Sequence, residues 1–323
     1  MRLFALNATR AFGQDVARAL GIDLAAHEER EFEDGEHKTR SLADVRGHDC
    51  FVIQSLHGGP DQSGNDKLAR LLFFAAALRD HGASRVTAVV PYLAYARKDR
   101  QTKPGDPVLT RYVAELFEAM RVDALITLEV HNVVALQNAF RIPMLHLSSA
   151  ELFVPHAAAI VGDRKAVVVS PDPGGVKRAQ LFRELLEAHC ERSVGAAYLE
   201  KRRSGGVTSG SLLAGDVRDA VVLLVDDLIS TGGTLLRAAH TCREAGARQI
   251  VALAAHGLFT QGADAALADP LFDGIWVSDS VPPFRLSPEV RERITVVSAA
   301  PLVAGAIRQL HDGSGIRSGT ASA

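Results

Sequence analysis

Cysteine is scarce in this chain: Cys50, Cys190 and Cys242 stand far apart, with no C-x-x-C pair. That argues against a disulfide framework or a cysteine-based zinc site and suits a reducing cytoplasm. An excess of one charge is also missing, since 36 Lys and Arg face 38 Asp and Glu for a net charge of -2. Nothing global draws the chain to nucleic acid or a membrane, so any anion site has to be local. Long apolar runs are absent as well. The richest, "LLFFAAAL" at 71–78, is flanked by Arg70 and Arg79 and is too short to span a bilayer, so it reads as a core helix. The opening "MRLFALNATR" has too short an apolar core for a signal peptide. No G-x-x-x-x-G-K-[ST] occurs, which excludes a P-loop nucleotide site.

What is present is an ample core and a regular alternation. Apolar residues make up 47% of 323, enough for two ordinary domains. Short β-branched runs ("CFVIQS", "SRVTAVV", "DALITL", "KAVVVS", "AVVLLV", "RQIVALAA") alternate with amphipathic stretches such as "GGVKRAQLFRELLEAH". Such alternation calls for βαβ units and mainly parallel sheets, an α/β protein. "GASRVTAVV" from Gly82 and "GARQIVALA" from Gly246 match in glycine, alanine and apolar positions about half a chain apart. They suggest an internal repeat, hence two similar α/β domains. The expected division is 1–150 and 151–311, followed by a small, polar, disordered tail at 312–323.

The stretch "AVVLLVDDLISTGGTLLRAA" carries the most chemistry. An apolar strand runs into Asp226 and Asp227, then Ser230, Thr231, Gly232, Gly233 and Thr234, and then a helical pattern. The carboxyl end of a strand followed by a helix N-terminus is where open α/β sheets bind ligands. Backbone amides from Ser230 to Thr234, together with three hydroxyls, form an anion cradle. The two aspartates would repel a bare phosphate, so they should serve sugar hydroxyls, a metal ion, or both. A sugar phosphate satisfies both halves of the pattern.

Five further segments carry charged residues in suggestive places. "PYLAYARKDRQTKPGDP" carries Arg97, Lys98, Arg100 and Lys103, suited to a polyphosphate or simply a solvated charge run. "LITLEVHN" ends a strand with Glu129 and His131 two apart on the same face, a pair able to hold a divalent cation or orient a nucleotide, or simply structural. "VVVSPDPGGVKRAQ" places Asp172 at a strand mouth, as a site acid or a helix N-terminal acid. "LEKRRSGGVTSG" puts Lys201, Arg202 and Arg203 before a small-residue loop, as a closing flap or an exposed hairpin would. "REFEDGEHKTR" reads as a charged strand or hairpin.

"VVLLVDDLISTGGT" resembles the phosphoribosyl diphosphate (PRPP) loop of type I phosphoribosyltransferase folds. "EFEDGE", "GASRVTAVVPYLAYARKDR", "LEVHN", "VVVSPDPGGVKRA" and "EKRR" narrow the resemblance to the ribose-phosphate diphosphokinase family, from Leu3 to about His311. The resemblance implies two phosphoribosyltransferase-like domains, with ATP and ribose 5-phosphate as substrates and Mg²⁺ as cofactor. It implies ATP contacts at Arg97, Lys98 and His131, and at Phe32, Asp34 and Glu36 reaching a neighbouring subunit. It places Asp172, Asp226, Asp227 and Ser230 to Thr234 at ribose 5-phosphate, His131 and Asp172 near the metal, and Lys201 and Arg203 in a catalytic flap. A cytoplasmic homo-oligomer is implied, a hexamer built of dimers. The chain departs from the family's usual Gln at Lys98, from its Asp at Glu129, and from the Asp that many relatives carry at Ser230; its flap beyond Arg203 is smaller. Other expectations are a regulatory paralogue binding nucleotide or sugar phosphate, and a PRPP-consuming phosphoribosyltransferase.

Overall fold

Two compact units emerge from the computed structural model, which describes residues 1–204 and 207–313. The first comprises Met1–Leu147 and the segment from Ala299; the second is Ser148–Ser298. In chain order, the first unit contains β1 (Arg2–Ala5), α1 (Arg10–Leu20), β2 (His27–Glu31), β3 (His37–Ser41), β4 (Asp49–Ile53) and α2 (Gly64–Asp80). It continues with β5 (Arg85–Val90), α3 (Leu109–Ala119), β6 (Ala124–Leu128), α4 (Val133–Ala139) and β7 (Met144–Leu147). The second contains α5 (Ser149–Val161), β8 (Ala166–Ser170), α6 (Val176–Cys190), β9 (Gly195–Ser204), β10 (Val207–Ala214), β11 (Val221–Ile229) and α7 (Gly233–Glu244). Then come β12 (Gln249–Gly257), α8 (Ala263–Leu267), β13 (Gly274–Ser278), α9 (Pro288–Arg291) and β14 (Ile294–Val297), before α10 (Ala300–His311) returns to the first unit.

The first unit holds a five-stranded parallel sheet, ordered β1-β4-β5-β6-β7, and β2–β3 as a separate antiparallel hairpin. The second holds a seven-stranded sheet, β10-β9-β8-β11-β12-β13-β14, parallel except where β10 runs against β9. Its central strands are apolar throughout because helices cover both faces. Val168, Leu223 and Leu253 pack against Phe153 of α5 and Phe182 of α6, while Val169, Leu224 and Ala252 face Leu235 and Ala239 of α7. Fully burying a side chain such as Phe182 is worth about 1.5–3 kcal/mol.

The repeat expected from Gly82 and Gly246 is present at the level of single hydrogen bonds. Both glycines adopt left-handed φ, 90° and 92°, with no Cβ to press on Arg46 and Arg218 respectively. Their carbonyls accept from the amides of Gly47 (2.8 Å) and Asp219 (2.9 Å). Arg79 then caps the carbonyls of Ala83 and Ser84, as Arg243 caps those of Ala247 and Arg248. Asp123 and Asp273 each accept from a strand amide at 2.7 Å, from Val86 and Ile250. The units are thus matched element by element, β4-α2-β5-β6 with β11-α7-β12-β13.

The expected second domain, 151–311, differs from the observed unit in its last helix. α10 packs beside α1, just as α5 packs beside α6 in the second unit. Arg308 donates to the Ala19 carbonyl (2.7 Å), Arg85 to the Leu310 carbonyl (2.6 Å), and His311 meets Asp49 at 2.8 Å. An apolar helical pattern does not reveal which sheet it will cover, and here it closes the face of the first unit. The expected tail, 312–323, is described only as far as Gly313. Among the described residues no helix is long and apolar enough to cross a membrane.

Candidate active site

In the second sheet the chain passes from β8 to β9 on one side, then returns to lay β11 on the other. The carboxyl ends of β8 and β11 therefore flank a topological switch point, the favoured ligand crevice of an open α/β sheet. The acidic-hydroxylic loop lies at this point. β11 pairs with β8 only through Leu224↔Val169, and Val225 to Ile229 continue beyond it against β12. Asp226 and Asp227 thus lie within the strand, where the sequence pattern had suggested its end. The pairing of Asp226 with Ala254 and Leu228 with His256 sustains the strand through the acids.

Both carboxylates are largely removed from water, with side chains 17% and 9% exposed. The amide of Asp227 donates to Oδ1 of Asp226 at 2.8 Å. Arg178 of α6 brings Nη1 to 3.8 Å from Asp226 and 3.7 Å from Asp227. Burial, with a shared hydrogen bond and the charge of Asp227, pushes the Asp226 carboxyl up to about 8; Arg178 opposes the rise. Arg178 was not singled out from the sequence, where it is one basic residue in a helical stretch. Its only signal is its place one turn after the Asp172-Pro-Gly-Gly corner.

Asp172 caps that corner. Its Oδ1 accepts from the amides of Gly174 (2.9 Å) and Gly175 (3.1 Å), and the Ser170 hydroxyl donates to its carbonyl at 2.6 Å. The helix-acid reading therefore describes one of its oxygens. Across the crevice, Gly232 is the N-cap of α7 at φ 75°. The first amides of a helix have no intrahelical partners, so this turn presents N–H groups to an anion. Ser230 pairs with Thr260 at 2.9 Å, the Thr231 hydroxyl receives the Gly233 amide at 3.4 Å, and Thr234 receives Arg237 at 3.3 Å. These contacts aim the hydroxyls without burying Thr231, which stays exposed.

Gly232 is constrained twice: a Cβ would lie 2.9 Å from the Ala266 Cβ, and an L side chain disfavours that φ by about 1–2 kcal/mol. Gly232→Ala should therefore lower the melting temperature by about 2–8 °C, and an unchanged melting curve would show that the turn relaxes at no cost.

In the first unit, the start of α2 and the segments after β5 and β6 are tied together. The Tyr95 hydroxyl bonds Asn65, and Asn132 donates to Asp99 at 2.9 Å. This second bond joins the segment bearing Arg97 and Lys98 to the segment bearing His131. All three of those side chains are exposed. Tyr95 and Glu129 hold left-handed φ of 65° and 34°, backbone strain of the kind that clusters in functional loops. β6 ends at Leu128, so the two-residue period fails at Glu129. Glu129 is buried at 6% exposure, and only His131 is exposed.

The segment "REFEDGEHKTR" forms a hairpin whose tip holds Phe32, Asp34 and Glu36, all exposed. Arg30 covers the Phe32 ring at 5.1 Å, and Asp34 receives the Glu36 amide at 3.1 Å. Lys201 and Arg203 lie on β9, opposite Ser211 and Thr208 of β10. Their side chains, and Gly205 and Gly206 between the strands, lie outside the described residues.

Comparison with known proteins shows the family and the fold. Residues 1–120 match the N-terminal domain of ribose phosphate pyrophosphokinase, and 208–318 match the phosphoribosyl synthetase-associated domain. A ribose-phosphate pyrophosphokinase of Haemophilus ducreyi is 34% identical over 96% of this chain and 95% of its own. One from Caldanaerobacter subterraneus is 34% identical over 98% and 96%. The crystal structure of phosphoribosylpyrophosphate synthetase from Mycobacterium smegmatis superposes with a TM-score of 0.86 at 32% identity, covering 97% of this chain and 99% of that one.

Proposed function

The chain belongs to the ribose-phosphate pyrophosphokinase family, and we propose that it moves the β,γ-diphosphoryl group of ATP to the C1 hydroxyl of ribose 5-phosphate. The products are PRPP and AMP. The observation that carries this reading is the switch-point crevice, which joins two buried aspartates to an amide-lined turn. The turn from Ser230 to Thr234 takes the 5-phosphate, and Asp226 and Asp227 accept from the sugar hydroxyls. Asp172 faces the same sugar with the oxygen that its cap leaves over.

Arg97, Lys98 and His131 hold the triphosphate. Phe32, with Asp34 and Glu36, receives the adenine of ATP bound to a neighbouring copy, in a homo-oligomer that we take to be a hexamer. The anomeric hydroxyl attacks the β-phosphorus in line, the bond to the α-phosphate oxygen breaks, and AMP leaves. Such transfers depend on positioning and charge stabilisation, with no covalent enzyme intermediate required. Lys201 and Arg203 neutralise the charge that develops.

Among the described residues no cluster of three or more His, Cys, Asp or Glu side chains could hold a metal ion by itself. We assign the protein contacts of Mg²⁺ to His131, whose side chain is exposed, and to the Asp172 oxygen that its cap leaves over, one nitrogen and one oxygen donor that would leave most of the ion's coordination to substrate and water. When bound, Mg²⁺ would supply positive charge that offsets the charge of the phosphates.

The test is a chromatographic assay of purified protein with Mg²⁺, ATP and ribose 5-phosphate. AMP should appear only when the sugar phosphate is present, matched mole for mole by PRPP. Folded protein that binds either substrate yet makes no AMP would overturn the proposal.

A further inference from the structure

Each unit carries a hairpin between a helix and a strand, β2–β3 between α1 and β4 and β9–β10 between α6 and β11, but the two are held differently. In the second unit, β9 is laddered to β8 from Val167↔Gly195 to Ser170↔Tyr198, so main-chain bonds fix that hairpin to its sheet. In the first unit, β2 and β3 form a sheet of their own. Ala25, just before β2, still donates to Leu3 of β1 at 2.7 Å, and beyond that point the hairpin leaves the sheet. Something other than a ladder has to set the position of its tip.

That something is a buried polar cluster. Arg70 of α2 has a side chain only 5% exposed, although it flanks the apolar 71–78 run as a surface cation would. Its Nη2 donates to Glu31 at 3.1 Å, and its Nη1 lies 3.9 Å from Glu29, whose side chain is 4% exposed. Glu29 also meets His27 Nε2 at 3.1 Å and accepts the Asn7 amide that follows β1. Burial alone would raise the Glu29 carboxyl; the His27 and Asn7 hydrogen bonds, with the charges of His27 and Arg70, hold it below its ordinary value. Aromatic packing adds grip: His27 lies against Phe4 and Phe74, and His37 stacks on Phe73 at 5.6 Å. Glu31 immediately precedes Phe32 and Glu29 lies three residues before it, so whatever fixes them fixes the base of the tip.

We propose that Arg70, through its contacts with Glu29 and Glu31, is a positioning residue that sets the hairpin tip for ATP. The proposal rests on the reading that Phe32, Asp34 and Glu36 receive adenine. Arg70 touches neither substrate nor the reacting atoms. Removing one member of a buried ion pair leaves the other charge uncompensated, so Arg70→Met should release the hairpin. Arg70→Lys keeps the charge but loses the planar fork that reaches two carboxylates, and it should restore the function only partly.

Two readouts on the full-length oligomer test this. Hydrogen exchange should speed up about tenfold at the hairpin amides, 27–41, in Arg70→Met, with β4 and β5 unchanged. In parallel, KM for ATP should rise about tenfold while kcat and KM for ribose 5-phosphate stay within twofold, a split that general destabilisation would not give. Should Arg70→Met not fold, the near-isosteric Glu29→Gln serves, with the same expected direction. Unchanged exchange in a folded variant overturns the anchoring step and leaves the adenine reading intact. Faster exchange with unchanged KM for ATP overturns the link to ATP, because a freed hairpin then costs the nucleotide nothing.

Discussion

Replacing Lys201 with alanine should lower kcat by about 10²–10³, or about 2.7–4 kcal/mol of transition-state stabilisation, while KM for ATP and ribose 5-phosphate changes little. The reasoning starts from the reaction. Phosphoryl-type transfer leaves little covalent chemistry to a protein, so its contribution is placement and compensation of charge. Lys201 lies on the β9 arm of a hairpin whose base is locked to β8, and its backbone is paired across to Ser211. The irregularity in register between Thr208 and Ser211 falls on β10, directly across from this arm, where a bulge increases the local twist of the pair. A cation delivered from such an arm acts mainly when charge peaks, so its loss appears in kcat. Steady-state kinetics on the purified variant decides the matter. Turnover within threefold of the parent would remove Lys201 from the reaction. Equal losses in kcat and in both affinities would make it a general binding residue.

How much could be read in advance depended on whether the signal was local. The PRPP-like loop was legible because strand, acids, glycines and helix follow one another in a single stretch, and the structure brings them to the switch point. The repeat was legible through Gly82 and Gly246, since a left-handed glycine that ends a helix leaves a glycine in the sequence. The extension of β11 through Asp226 and Asp227 was not legible. Strand propensity alone ends there, and it is pairing with β12 that carries the strand on.

Arg70 and Arg178 mark the same limit from another side. Each is a single arginine within a helical pattern, where an exposed cation is the ordinary reading. Each proves largely buried, because acids from strands far away in sequence converge on it: Glu29 and Glu31 on Arg70, Asp226 and Asp227 on Arg178. Glu129 shows the converse. Its spacing from His131 is right for a shared strand face, yet a left-handed turn after Leu128 separates the two environments. Periodicity applies only while the strand lasts.

Asp226→Asn should make the protein more stable and a poorer enzyme. Burial and Asp227 raise the Asp226 carboxyl from 3.8 to about 8 in the folded state. Between those values the folded protein binds more protons than the unfolded chain, so stability falls as pH rises from about 4 to about 8. Below that window the parent carries a neutral acid, which resembles the amide, and the two proteins should melt together. Above it the parent bears a poorly solvated charge that the variant lacks. The variant should then gain about 2–4 kcal/mol, seen as a melting temperature about 5–10 °C higher at pH 8.5. The same charge is what the sugar hydroxyls need as an acceptor, so KM for ribose 5-phosphate should rise about 10–100-fold, with KM for ATP unaffected. In the parent, that KM should fall as pH rises towards 8, and in the variant it should lose this slope. Melting curves at pH 3.5 and 8.5, with KM measured between pH 6 and 8.5, test both halves. A variant less stable than the parent at pH 8.5 would mean that Arg178 already compensates the charge, and the strain attributed to this site would not exist.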